Sequence, residues 1–223
     1  MSTKNSKNYS NESVKEYYHS TGLYDSIIYK KNKTNQNLPK EEIIENLLLK
    51  NKKLSNKVTG TNKKIILSNK NYKSKIMVLG DMPSQKDIDN NELFSDDSGE
   101  LLTKMLGAIS IDSSQVYLAN IIPFYLTKEE SKNIKKYNSL LRKIVHEHIS
   151  AINPETILLL GSFALQTLFG EEYSIAKNRG QWLSYSAANN SINIIPSFHP
   201  TFLLKQPSQK KKSWEDLQEL QKK

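Results

Sequence analysis

From about residue 75 onward, short continuous apolar runs alternate with stretches of helical periodicity. Ile76-Met77-Val78-Leu79 stops at Gly80, and Val116-Tyr117-Leu118-Ala119-Asn120-Ile121-Ile122 forms a second run. Thr156-Ile157-Leu158-Leu159-Leu160 stops at Gly161, and Ile192-Asn193-Ile194-Ile195 stops at Pro196. Runs this short and this apolar read as buried strands. Between them Leu101, Leu102, Met105, Leu106 and Ile109 share one helix face, and Leu140, Leu141, Ile144, Val145, His148, Ile149 and Ile152 share another. Ser162–Phe169 predicts a short helix ended by Gly170, and Ser213–Lys222 a closing helix with Trp214, Leu217 and Leu220 inward. The alternation predicts an α/β fold: a single three-layer domain with a central four-stranded parallel sheet flanked by helices.

The first 74 residues have a different texture. Residues 1–13 are rich in Ser, Asn and Lys and read as a disordered tail. A helical pattern runs through Val14–Tyr24. A second starts after Pro39, with Glu41 and Glu42 in its first turn and Ile43, Ile44, Leu47 and Leu48 as its apolar stripe. Residues 51–74 read as a Lys/Asn-rich linker, so 14–74 form a preface to a domain spanning 75–223. No apolar run approaches a membrane span, and the N-terminus has no apolar segment of the signal-peptide type. The expectation is a monomeric, cytoplasmic protein with no membrane partner.

Composition narrows the chemistry. The net charge of +9 suits a polyanionic partner, although Lys and Asn are abundant along the whole chain. The absence of cysteine decides more: it excludes disulfides, thiolate nucleophiles, cysteine-ligated zinc and ordinary iron–sulfur clusters. No metal and no cofactor are expected.

In open parallel sheets, ligands bind beyond the carboxyl ends of the strands. Those ends carry Gly80-Asp81-Met82-Pro83-Ser84, Asn120, Gly161-Ser162 and Ser197-Phe198-His199-Pro200. Each residue has a plain structural alternative. Asp81 can cap a turn, Asn120 can satisfy loop backbone, and His199 can be a hydrogen-bonded structural histidine. Gathered on one rim, an Asp, an Asn and a His constitute a candidate active site.

At these residues the chain resembles the uracil-DNA glycosylase superfamily, most closely its family 4. Gly80-Asp81-Met82-Pro83-Ser84 is similar to that family's Gly-Glu/Asp-Ala-Pro-Gly motif, and Phe94 precedes Gly99-Glu100-Leu101-Leu102 at the family's spacing. Tyr117-Leu118-Ala119-Asn120, Leu159-Leu160-Gly161-Ser162, Arg179-Gly180-Gln181-Trp182 and His199-Pro200-Thr201-Phe202-Leu203-Leu204-Lys205 match the later motifs in order. The resemblance implies uracil-containing DNA as partner. It implies a uracil pocket of Gly80, Phe94 and Asn120, with Asp81 positioning water and His199 donating to the leaving base. It places Leu203 and Leu204 as a wedge in the base stack, with Lys205, Lys210, Lys211, Lys212 and Ser162 at phosphates.

Four departures stand out, one of them the replacement of a Pro/Gly-rich DNA-facing loop after the second strand by Leu126-Thr127-Lys128-Glu129-Glu130. The family's four-cysteine iron–sulfur cluster has no ligands here, and Ile121-Ile122-Pro123-Phe124-Tyr125 replaces a cysteine-bearing loop that packing of Phe124 and Tyr125 must then stabilise. Ser84 stands where a second Gly is usual, its Cβ crowding backbone that approaches the ligand. Asp96 and Asp97 replace a Gly-Arg pair, setting acid beside phosphates. Two readings follow: a cluster-free glycosylase, or a superfamily member that binds DNA or a base without excision. A metal-dependent hydrolase built on Asp81, Asp87, Asp89, Asp96 and Asp97 is a third class. The stretch from Asp87 is no calcium loop, since it lacks the central Gly and ends in Ser98.

Overall fold

A computed structural model describes residues 40–187 and 190–222, and the expected tail and the helix over Val14–Tyr24 lie outside them. The description concerns the compact unit Ile43–Lys223; of the segment before it only 40–42, the first turn of a helix, are described. The strands are β1 (Ile76–Gly80), β2 (Val116–Asn120), β3 (Thr156–Leu160), β4 (Leu183–Ala187) and β5 (Asn190–Ser197). The helices are α1 (Lys40–Thr59), α2 (Gln85–Asn90), α3 (Asp97–Ala108), α4 (Lys128–Ser131), α5 (Asn138–Ile152), α6 (Ser162–Phe169), α7 (Ile175–Asn178), α8 (Pro200–Lys205) and α9 (Lys210–Gln221).

The sheet has five strands in the order β2-β1-β3-β5-β4. Four are parallel as expected, and β4 is an antiparallel edge strand hairpinned onto β5. The four-strand expectation is corrected by this edge. Leu183, Tyr185 and Ala187 alternate with Ser, the period-two pattern of a strand with one face covered, and so differ from the continuous runs of the central strands.

Alternation along the strands sorts the core into two layers. Met77 and Leu79 of β1 pack with Ile157 and Leu159 of β3 against α1, α5 and α6. Val78, Leu158, Leu160 and Ile195 face the other way, against Leu102 and Leu106 of α3 and Leu217 and Leu220 of α9. Helices thus cover both faces of the sheet, as parallel sheets require. On α9, Ser213 and Asp216 are buried, whereas Trp214 is 39% exposed and does not face inward as its spacing suggests.

The expected linker over 51–74 is the larger correction. The helix begun after Pro39 runs on to Thr59, burying Asn51, Leu54 and Ser55. The following segment lies along the sheet edge. Ile66 N–H donates to Pro123 O at 2.8 Å, and Asn69 accepts from Leu118 N–H and donates to Val116 O. Lys and Asn dominate its exposed positions and hide Ile66 and Leu67, which are buried. We expect Leu54→Ala to destabilise the domain by about 2–5 kcal/mol, the usual cost of truncating a buried leucine. Urea unfolding measures it; a change below about 0.5 kcal/mol, the range usual for exposed sites, would return the segment to linker status.

Candidate active site

The site is built around the side chain that Gly80 lacks. Gly80 ends β1 and pairs in register with Asn120 at the end of β2. A Cβ at Gly80 would stand 2.5 Å from Asn120 Oδ1, 3.0 Å from the Phe94 ring tip and 3.4 Å from His199 Nε2. Three side chains from three separate segments therefore converge on one bare stretch of backbone. Any larger residue would fill the space between them.

Each of the three is held by local structure. Asn120 is buried, on a strand whose next residue, Ile121, donates its N–H to Gly80 O at 2.8 Å. Phe94 has φ +56°, a left-handed conformation that an aromatic residue rarely adopts. Gly99 in the first turn of α3 makes this possible, because a Cβ there would lie 1.6 Å from Phe94 O. The Phe94 ring lies 6.1 Å from that of His199, centre to centre, with an interplanar angle of 26°.

His199 is the N-cap of α8, with Pro200 in the first turn. Its Nδ1 accepts from Thr201 N–H at 3.2 Å, so in the neutral ring Nε2 carries the proton. Burial pushes its pKa down to about 4, outweighing the upward pull of Asp96 and Asp87. The imidazole is thus a neutral donor across the physiological range. Its Nε2 and Asn120 Oδ1 are both buried without a hydrogen-bond partner. Buried polar groups are ordinarily paired, so an unmet donor and an unmet acceptor beside Gly80 mark a place for a ligand.

Asp81 forms an adjacent wall. Its carboxylate accepts from Ala164 N–H at 2.8 Å, at the N-terminus of α6. Gly161, with φ +102°, leaves the room, since a Cβ there would meet both carboxylate oxygens within 2.8 Å. Burial raises the Asp81 pKa to about 7 against the lowering effect of that N–H. The structure therefore clusters Gly80, Phe94, Asn120 and His199, and sets Asp81 beside them at the end of β3.

The remaining expected residues fall at the rim or beneath it. Ser162 is exposed in the first turn of α6, but Gly161 is the cap and the Ala164 N–H is already engaged by Asp81. Leu203 is 1% exposed, so it is core; the open apolar positions of α8 are Phe202 at 40% and Leu204 at 42%. Lys205 is exposed in the last turn of α8. Ser84 does not strain the backbone: its φ is −74°, and its hydroxyl caps α2. Asp96 is likewise a cap, accepting from Ser98 and Gly99 N–H, while Asp97 is exposed. Although burial pushes the Asp96 pKa up, hydrogen bonds from Ser98, Ser84 and Gly99 together hold it below its ordinary value.

Two supporting groups escaped the sequence reading. Asp87 is buried and bound by Ser84 and Ser95, a role hinted at only by the Ser84-x-x-Asp87 capping spacing. Asp216 is buried under the His199 loop. It pairs with Arg179 at 2.7 Å and accepts from Ser197 Oγ at 2.6 Å, while Gly180, with φ +70°, makes way for it. This contact ties α9 to the end of β5. An Asp in an exposed-looking Lys/Glu helix gives no sequence signal of such a partner.

A sequence model of the Uracil DNA glycosylase superfamily matches residues 68–218. The chain belongs to that superfamily. It is 28% identical over 149 residues to a type-4 uracil-DNA glycosylase of Thermotoga maritima, covering 65% of this chain and 73% of that protein. The corresponding enzyme of Archaeoglobus fulgidus is 26% identical over 141 residues, covering 61% and 70%. That of Sulfurisphaera tokodaii is 27% identical over 156 residues, covering 66% and 69%. The iron–sulfur cluster implied by family 4 does not fit this superfamily member. It has no cysteine, and the loop after Asn120 buries Ile121, Ile122, Phe124 and Leu126 in the core instead.

The Asp81 environment sets a stability prediction. A carboxyl whose pKa is raised from 3.8 to about 7 favours the fold while protonated, and that contribution disappears as pH rises through 7. Asp81→Asn, which keeps an acceptor for Ala164 N–H, should match the parent near pH 4 and exceed it above pH 7. The plateau difference is a few kcal/mol, on the order of 3 pKa units at ~1.4 kcal/mol each. Thermal melts from pH 4 to 9 measure it, and a constant offset would contradict the assignment.

Proposed function

We propose that this protein is a DNA-repair enzyme that hydrolyses the N-glycosidic bond of uracil in DNA. The observation that carries the reading is the unmet pair at Gly80, His199 Nε2–H and Asn120 Oδ1. Uracil presents a carbonyl acceptor, O2, next to an N–H donor, N3, on one edge. That edge complements a donor and an acceptor set side by side. Asn120 Nδ2 then serves O4. Cytosine has a lone pair at N3 and would leave the buried Asn120 Oδ1 unsatisfied, a penalty of about 1–3 kcal/mol.

The base must first leave the duplex. Phe94 supplies a stacking face for the flipped ring, and bare Gly80 lets the ring approach the backbone. Phe202 and Leu204 are the exposed apolar groups available to fill the vacated stack, in place of the Leu203 and Leu204 pair. Lys205, Lys210, Lys211 and Lys212 line the exposed surface that follows and suit phosphates, and Ser162 adds a hydroxyl near the end of β3.

In the chemical step the C1′–N1 bond breaks and its electron pair passes to the uracil ring, gathering on O2. The His199 Nε2–H stabilises that oxygen as an oxyanion hole does. Ionised Asp81 orients a water toward C1′, stabilises the cationic sugar, and takes the proton as the water adds.

Uracil-containing oligonucleotides, single- and double-stranded, incubated in EDTA and then treated with alkali test the proposal. Strand scission is expected, with His199→Ala lowering kcat by about 10²–10³. Single-turnover rates should rise about tenfold per pH unit up to an apparent pKa near 7 and then level, because Asp81 works ionised and His199 stays neutral above about pH 4. Asp81→Asn should be slow and lose that limb. Tight binding without scission would establish the binder, and loss of activity in EDTA a metal-dependent hydrolase.

A further inference from the structure

We infer that Asp87 is a positioning residue that latches the loop carrying Phe94, so that the stacking face is set before any base arrives. The inference rests on the proposed uracil pocket. Asp87 is 4% exposed and no step of the proposed chemistry uses it. One carboxylate oxygen accepts from Ser84 N–H at 2.9 Å, at the start of α2. The other accepts from Ser95 N–H at 2.7 Å and Ser95 Oγ at 3.0 Å, on the residue after Phe94. Its main-chain oxygen accepts from Glu92 N–H at 3.0 Å. A single side chain thus joins the two ends of the segment 84–95, with Phe94 at the second end.

The segment needs such a joint. Phe94 sits at φ +56°, and Asn91 at φ +55°, two left-handed residues within four positions. Residues of this kind persist only where the surroundings over-determine them. On its far side Phe94 is braced by α3, where Gly99 leaves no room for movement toward the helix. On its near side the brace is Asp87. Asparagine cannot replace it, because both oxygens accept hydrogen bonds; an Asn would turn its NH₂ toward a backbone N–H.

The test compares Asp87→Asn, Phe94→Ala and the double variant. Asp87→Asn is expected to raise KM for uracil-DNA and the inhibition constant of free uracil about tenfold, with kcat within about threefold, as loss of ground-state stacking does. In the Phe94→Ala background the same change should alter either constant less than about twofold, because contacting residues couple. A ligand-free readout accompanies the kinetics. The His199 ring protons, assigned among four histidines with His199→Gln, lie under the Phe94 ring current and should move in Asp87→Asn toward their Phe94→Ala positions. Should Asp87→Asn fail to melt cooperatively, Ser95→Ala must show a smaller shift in the same direction. Unmoved His199 resonances, or equal kinetic effects in both backgrounds, would overturn the inference. A parent that neither cleaves uracil-DNA nor binds uracil would overturn the proposed function, while the resonances still decide the role of Asp87.

Discussion

A hydrogen-bond donor and an acceptor buried without partners destabilise the fold that holds them, by about 1–3 kcal/mol each. His199 Nε2 and Asn120 Oδ1 are such a pair, and much of the structure serves to keep them in place. Gly80 keeps the space between them empty. Neither group can relieve itself locally: Asn120 is fixed in the sheet by the β1–β2 register, and His199 by its bond to Thr201 and the proline that follows. In the proposed function the relief is left to a ligand that offers a carbonyl beside an N–H.

Two supports of this pair share a plan in which a glycine makes room for an acid. Gly161 admits Asp81, and Gly180 admits Asp216. At the Phe94 loop Gly99 admits the backbone of Phe94 itself, and the acid, Asp87, binds on the opposite side. These contacts place rigid joints at the ends of β1, β3 and β5 and leave the rim between them open. Two of the acids act on different things. Asp216 pairs with Arg179 and anchors a helix, whereas Asp81 faces an N–H at a helix start and remains only weakly acidic. In the proposed reaction that tuning suits a group that is ionised near neutral pH yet basic enough to take a proton from water.

The parts of the fold legible in the sequence were those with strong periodicity. Continuous apolar runs located β1, β2, β3 and β5, and the stripe ending at Ile152 located α5. The edge strand β4 escaped because two of its five positions face outward as Ser and interrupt the apolar run. The extension of α1 and the folded segment after it escaped because Lys and Asn on the wet face swamp a few buried contacts. The site was legible wherever residues sit directly at strand ends. Side-chain direction was not: Leu203 and Leu204 are neighbours in the sequence, yet one is core and the other open, because successive residues of a helix point about 100° apart. Asp96 could be read only as a charge until its bonds to Ser98 and Gly99 made it a cap.

In the proposed function the Gly80 pocket reads one edge of a pyrimidine through an acceptor and a donor held side by side. Titration of the protein with free uracil, 3-methyluracil and cytosine, followed through the His199 ring resonances, measures this without DNA or turnover. Saturable shifts with uracil, and none at the same concentrations with 3-methyluracil or cytosine, are the predicted result. Equal binding of 3-methyluracil, whose N3 cannot donate to Asn120, would contradict it.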